Sequence, residues 1–124
     1  MNKRILVLLT VVALVVVMLA PAALAITKQC WASPCYGTNK DDTLYEHPRF
    51  NNKIYGLRGD DIIRGSLLRI RPAPDTDILR GGPGKDRLKS NDLDGRDVLY
   101  GGRGRDVCII NRGDRTRGCE KVGR

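Results

Sequence analysis

The chain has 124 residues, with 22 Lys and Arg against 14 Asp and Glu, a formal net charge of +8, and 41% apolar residues. That apolar share is concentrated at the start, since Ile5 to Ile26 run without a charge. Beyond residue 25 only 20 of 99 residues are Leu, Ile, Val or Phe, which excludes a large enzyme domain, a helical bundle or a second domain.

In chain order, residues 1–25 read as a signal-peptide helix: Lys3 and Arg4 precede the apolar run, which closes on Pro21-Ala22-Ala23-Leu24-Ala25. The alternative is a retained N-terminal anchor, because such a run is long enough to span a bilayer. Either way the remainder is expected outside the cell, with 20 basic against 14 acidic side chains and a net charge of +6. All 14 glycines and all four cysteines lie there, so disulfides and bound metal are the two available sources of extra stability.

After a short N-terminal cap at 26–36, a nonapeptide repeat organises residues 37–109. Three copies align without gaps, starting at Gly56, Gly81 and Gly101, with Gly at positions 1 and 4, Asp at position 6 (Asp61, Asp86, Asp106) and an inward-type residue at position 8. Weaker copies carry Asp42, Asp77 and Asp97, and the poorest has Asn52 in that place. Positions 1–6 are turn-forming, because glycine reaches positive φ without a clash and aspartate caps turns. Positions 7–9 are too short to form a stable strand alone, so the copies must stack. Their inward column is predicted to be Leu44, Ile54, Ile63, Leu79, Leu88, Leu99 and Cys108. Gly65 to Arg71 and Ser90-Asn91 interrupt the register.

The pattern G-G-x-G-x-D-x-U-x resembles the RTX, or haemolysin-type, calcium-binding nonapeptide. The resemblance implies an all-β fold, a short right-handed parallel β-roll in which two nonapeptides make one coil and each Ca2+ lies between turns one coil apart. On that alternation Asp42, Asp61, Asp86 and Asp106 share one edge, and Asn52, Asp77 and Asp97 the other. The implied metal ligands are Asp42, then Gly56, Arg58, Asp60 and Asp61, then Gly81, Pro83, Lys85 and Asp86, then Gly101, Arg103, Arg105 and Asp106 on the first edge, and Asp77 and Asp97 on the second, with backbone carbonyls joining the carboxylates. Calcium is expected on the former edge first, because Pro72, Ala73 and Pro74 stiffen the second, where Asp75, Asp92 and Asp94 are weaker substitutes. Basic residues at the variable positions, such as Arg58 and Lys85, oppose a divalent cation, so a calcium-free descendant of the fold is the competing expectation.

Four cysteines in an exported chain point to two disulfides, and proximity favours Cys30–Cys35 and Cys108–Cys119 as caps at the two ends of the roll. A four-cysteine zinc site fits the Cys108 to Cys119 interval poorly. Residues 110–124 form a basic C-terminal cap or tail, a possible contact for an anionic cell-surface polymer. With no aromatic platform or recognition helix, nucleic acid is not expected as a partner. No catalytic residue is proposed, because His47 is the sole histidine and no nucleophile motif is present. The functional expectation is a non-enzymatic, secreted calcium-binding module, and the alternative is an adhesive surface protein that holds anionic wall polymer with calcium weak or absent.

Overall fold

The structure, a computed structural model, describes residues 2–3, 24–48, 51–65, 76–90 and 96–124. The leader segment lies almost wholly outside these residues, as do Pro72 to Asp75, Asp92 and Asp94. Among the described residues no helix is long and apolar enough to cross a membrane.

Among the described residues eleven short strands follow one another: β1 (Thr27–Gln29), β2 (Cys35–Tyr36), β3 (Thr43–Tyr45), β4 (Lys53–Tyr55), β5 (Ile62–Arg64), β6 (Ile78–Pro83), β7 (Arg87–Lys89), β8 (Val98–Arg103), β9 (Val107–Ile109), β10 (Arg115–Arg117) and β11 (Lys121–Gly123). Alternate strands belong to alternate sheets. One sheet runs β1-β3-β5-β7-β9-β11 and the other β10-β8-β6-β4-β2, and every pairing within them is parallel. This is the parallel β-roll expected from the repeat, with each strand satisfied by its neighbours one coil away.

Side chains alternate across a strand, so a three-residue strand sends only its middle residue inward. The register aligns Leu44, Ile63, Leu88 and Cys108 in one sheet and Cys35, Ile54, Leu79 and Leu99 in the other. All seven residues predicted for the inward column are buried, none more than 1% exposed. They form a single apolar cluster with Cys30, Cys35 and Ile110. At roughly 1.5–3 kcal/mol per fully buried aliphatic side chain, this thin column is the main apolar contribution to stability.

The disulfides Cys30–Cys35 and Cys108–Cys119 both form, with Cα–Cα distances of 5.7 and 5.9 Å. The basic C-terminal segment supplies two further strands: β10 pairs with β8 and β11 with β9. Their outward Arg115, Arg117 and Lys121 are exposed.

The two edges of the roll differ in regularity. On one edge the repeat turns 37–42, 56–61, 81–86 and 101–106 have the same length, β6 and β8 extending into the third and fourth of them, and only the last connection, 118–120, is shorter. On the other the connections 46–52, 65–77, 90–97 and 110–114 vary. Equivalent aspartates on the regular edge are 19, 25 and 20 positions apart, while the repeat turns that carry them keep one length. The interruptions seen in the sequence thus leave the regular turns in step.

Candidate metal centre

The residue immediately before each strand carries the site. On the regular edge these are Asp42, Asp61, Asp86 and Asp106, all at most 1% exposed. Each is held there by the same device. The amide of Asp42 donates to Oδ1 of Asp61 at 2.8 Å, that of Asp61 to Asp86 at 2.9 Å, and that of Asp86 to Asp106 at 2.9 Å. The ladder begins with Ile26 N to Asp42 Oδ1 at 2.7 Å and ends with Asp106 N to Glu120 Oε2 at 2.6 Å. Sequence reasoning missed Glu120, because its turn is shortened to 118–120 and lacks the repeat signature; its place just before a strand is the signal it does carry.

The irregular edge has a parallel ladder. Asn52 N donates to Asp77 Oδ1 at 2.6 Å, Asp77 N to Asp97 Oδ1 at 2.9 Å, and Asp97 N to Asp114 Oδ1 at 3.1 Å. Asn52 closes its turn through Nδ2, which donates to the His47 carbonyl at 2.9 Å and to Asp77 Oδ1 at 3.0 Å. Asp114 is again a rung that the repeat pattern did not reveal.

One carboxylate oxygen per aspartate supports the backbone; the other distinguishes the turns. Asp61, Asp86 and Asp106 each keep a buried Oδ2 with no hydrogen-bond partner. Each Oδ2 occupies the space that a side chain at position 1 of its own turn would need. A Cβ on Gly56, Gly81 or Gly101 would lie 2.2, 2.1 or 2.6 Å from the Oδ2 of Asp61, Asp86 or Asp106. Asp42 is different, because the Thr38 amide and hydroxyl both donate to its Oδ2. Three consecutive turns therefore hold a buried carboxyl oxygen without a hydrogen-bond partner in a glycine cradle.

Electrostatics agree with that reading. Burial pushes the Asp61 carboxyl up to about 6 and the Asp86 carboxyl up to about 7, against an ordinary 3.8. The accepted backbone bond opposes the shift, and neighbouring carboxylates, Asp42 for Asp61 and both Asp61 and Asp106 for Asp86, add to it. Asp106 is raised as well, chiefly by burial, with Glu120 adding to it. Asp86, flanked on both sides, is the most perturbed of the three, as expected for a group whose neighbours carry the same charge.

The remaining predicted ligands are backbone groups. The carbonyls of Gly81, Pro83 and Arg103 accept amide bonds from Leu57, Gly59 and Gly84, at 3.1, 3.2 and 2.9 Å. They point along the stack towards the preceding turn. The side chains of Arg58, Asp60, Lys85, Arg103 and Arg105 are exposed, and Asp60 Oδ1 accepts the Lys85 amide at 2.8 Å. Among the described residues no three acidic, His or Cys side chains converge, so a cation here draws most of its oxygens from the backbone. Hard carboxylate and carbonyl oxygens, close-packed in glycine turns, are the donor set that calcium accepts.

A parallel two-sheet roll whose buried aspartates stack at glycine-rich turns defines a class of calcium-associated solenoid. The chain matches the RTX calcium-binding nonapeptide repeat (4 copies) over residues 49–67, 74–108 and 90–116, together half its length. It belongs to the RTX calcium-binding nonapeptide repeat family. No curated protein and no solved structure matches it.

Proposed function

We propose that this chain is a secreted, non-catalytic module whose folding is stabilised by calcium held between the turns 56–61, 81–86 and 101–106. The observation that carries the reading is the row of unsatisfied Oδ2 atoms on Asp61, Asp86 and Asp106, each buried and each facing a glycine. Leaving a buried carboxylate oxygen unsatisfied costs roughly 1–3 kcal/mol or more. Bound calcium supplies the positive charge that these oxygens lack. The turn residues do the rest: Asp86 lies between Asp61 and Asp106 in the ladder, and the carbonyls of Gly81, Pro83 and Arg103 point along the stack. The turn 37–42 is left out of the proposed site, because Thr38 already satisfies Asp42.

Circular dichroism of the oxidised chain, in chelator and then in millimolar calcium, tests the reading. A calcium-induced gain of β signal is expected. Identical spectra and identical melting temperatures in the two conditions overturn it.

A further inference from the structure

The outer face of the five-stranded sheet carries a row of large side chains at matching register positions: Tyr36, Tyr55, Arg80 and Tyr100. The Tyr36 and Tyr55 rings stack at 5.1 Å between centroids. The Arg80 guanidinium lies between two rings, 5.9 Å from the Tyr55 centroid and 4.4 Å from that of Tyr100. This stacking fixes a flexible side chain and covers both faces of Tyr55 but one face each of Tyr36 and Tyr100. The ring edges offer a ligand phenol hydroxyls and the fork of the guanidinium, repeating at about 4.8 Å, the spacing of paired strands.

Beside this line the sheet runs into the glycine turns, forming a groove of about 350 Å³. Its floor includes Gly81 and Gly101, and its apolar walls are Leu57 and Pro83. Leu57 is in the left-handed backbone region, φ 84°, where the equivalent positions of the next two turns hold Gly82 and Gly102. Its side chain is 38% exposed, so burial in the core does not account for a leucine at this strained position. A residue kept at a conformational cost, on a groove wall, points to a ligand.

We propose that this groove binds an acidic polysaccharide, with Arg80 pairing a carboxylate, the tyrosine hydroxyls bonding sugar oxygens, and Leu57 and Pro83 packing on sugar C–H faces. Charge complementarity favours a polyanion, since Arg80 sits in a net basic chain and its fork matches a carboxylate. The apolar walls favour a ligand with carbon surface over inorganic polyphosphate. Single-stranded nucleic acid needs open ring faces for base stacking, and of the two rings lining the groove Tyr55 has both faces covered, by Tyr36 and Arg80, and Tyr100 one, by Arg80. The groove shares Gly81, Pro83 and Gly101 with the turns proposed to hold calcium, so calcium is kept at a fixed, saturating concentration when its binding is measured.

The test is calorimetric titration of the full chain, in millimolar calcium, with an oligogalacturonate, its neutral galactose counterpart, polyphosphate and oligothymidylate. Oligogalacturonate is expected to bind more tightly than all three comparison ligands. Arg80→Gln is expected to weaken binding by about tenfold or more, the loss of one charge-assisted contact. Arg87→Gln removes the same charge from the opposite face and is expected to change affinity by about twofold or less. Leu57→Gly is expected to weaken binding while leaving the melting temperature unchanged or higher, because glycine relieves the positive φ. Equal losses in Arg80→Gln and Arg87→Gln, unchanged binding by Leu57→Gly, tighter binding of polyphosphate or oligothymidylate, or no binding overturns the proposal. Retained calcium-induced folding in that last case would leave the calcium reading standing, so the two fail separately.

Discussion

The amide of Asp61 donates to Oδ1 of Asp86 at 2.9 Å, across a sequence separation of 25 residues. One carboxylate thus has two tasks: Oδ1 fixes the preceding coil, while Oδ2 stays buried without a partner against Gly81. The two tasks separate by mutation. Asp86→Asn keeps an acceptor for the Asp61 amide and removes the charge, so the chain is expected to fold in chelator but to lose its calcium response. Asp86→Ala also leaves the Asp61 amide unpaired, and is expected to cost a further 1–3 kcal/mol or so in denaturant unfolding. Equal stabilities for the two variants would show that Oδ1 does not support the ladder.

The raised carboxyls fix the sign of the pH dependence. Asp61 and Asp86 titrate near 6 and 7 when folded, against 3.8 for the ordinary group, so between these values the folded chain holds more protons than the unfolded one. Their contribution to stability is therefore fully present below about pH 4 and is lost as pH rises through 6 and 7. In chelator, the urea midpoint is expected to fall from pH 4.5 to pH 8. In calcium the trend is expected to reverse over pH 6–7, because the cation selects the deprotonated carboxylates.

Turn stacking leaves no room for a side chain at position 4. A Cβ on Gly104, whose φ is 140°, would lie 1.6 Å from the Gly84 carbonyl oxygen. Gly104→Ala is expected to destabilise the roll by at least about 1–3 kcal/mol. Gly123→Ala meets only Ile109 Cγ1, at 3.9 Å, and is expected to stay within about 0.5 kcal/mol of the parent. Thermal melts of the two variants provide the comparison.

The disulfides close loops of different length, with sequence separations of 5 and 11. On a chain-entropy argument the Cys108–Cys119 bridge contributes about 3 kcal/mol and Cys30–Cys35 about 2. Replacing Cys119 by Ser is expected to lower the melting temperature more than replacing Cys30 by Ser. It also frees β11 from β9, so amide exchange is expected to quicken first at Lys121 to Gly123.

Much of the fold was legible because the nine-residue period places one inward side chain per strand. Leu44 through Cys108 follow from that spacing, and so do the aspartates of the regular edge. The terminal rungs did not follow. Thr116 and Val122 occupy inward register positions in β10 and β11, but the chain around them lacks the glycine and aspartate that mark a repeat. Asp114 and Glu120 enter the ladders through their place before a strand, a positional rule visible only once the strands are known. The satisfied state of Asp42 depends on Thr38, a contact within one turn that the repeat pattern does not encode. Nor did the sequence indicate that Leu57 adopts a conformation suited to glycine.

The central claim is that Asp61, Asp86 and Asp106 hold calcium. Isothermal titration of calcium into the oxidised, chelator-stripped chain, beside the triple variant D61N/D86N/D106N, addresses it most directly. A saturable binding heat in the parent that is abolished in the triple variant is the predicted result; the same heat in both, or none in either, contradicts it.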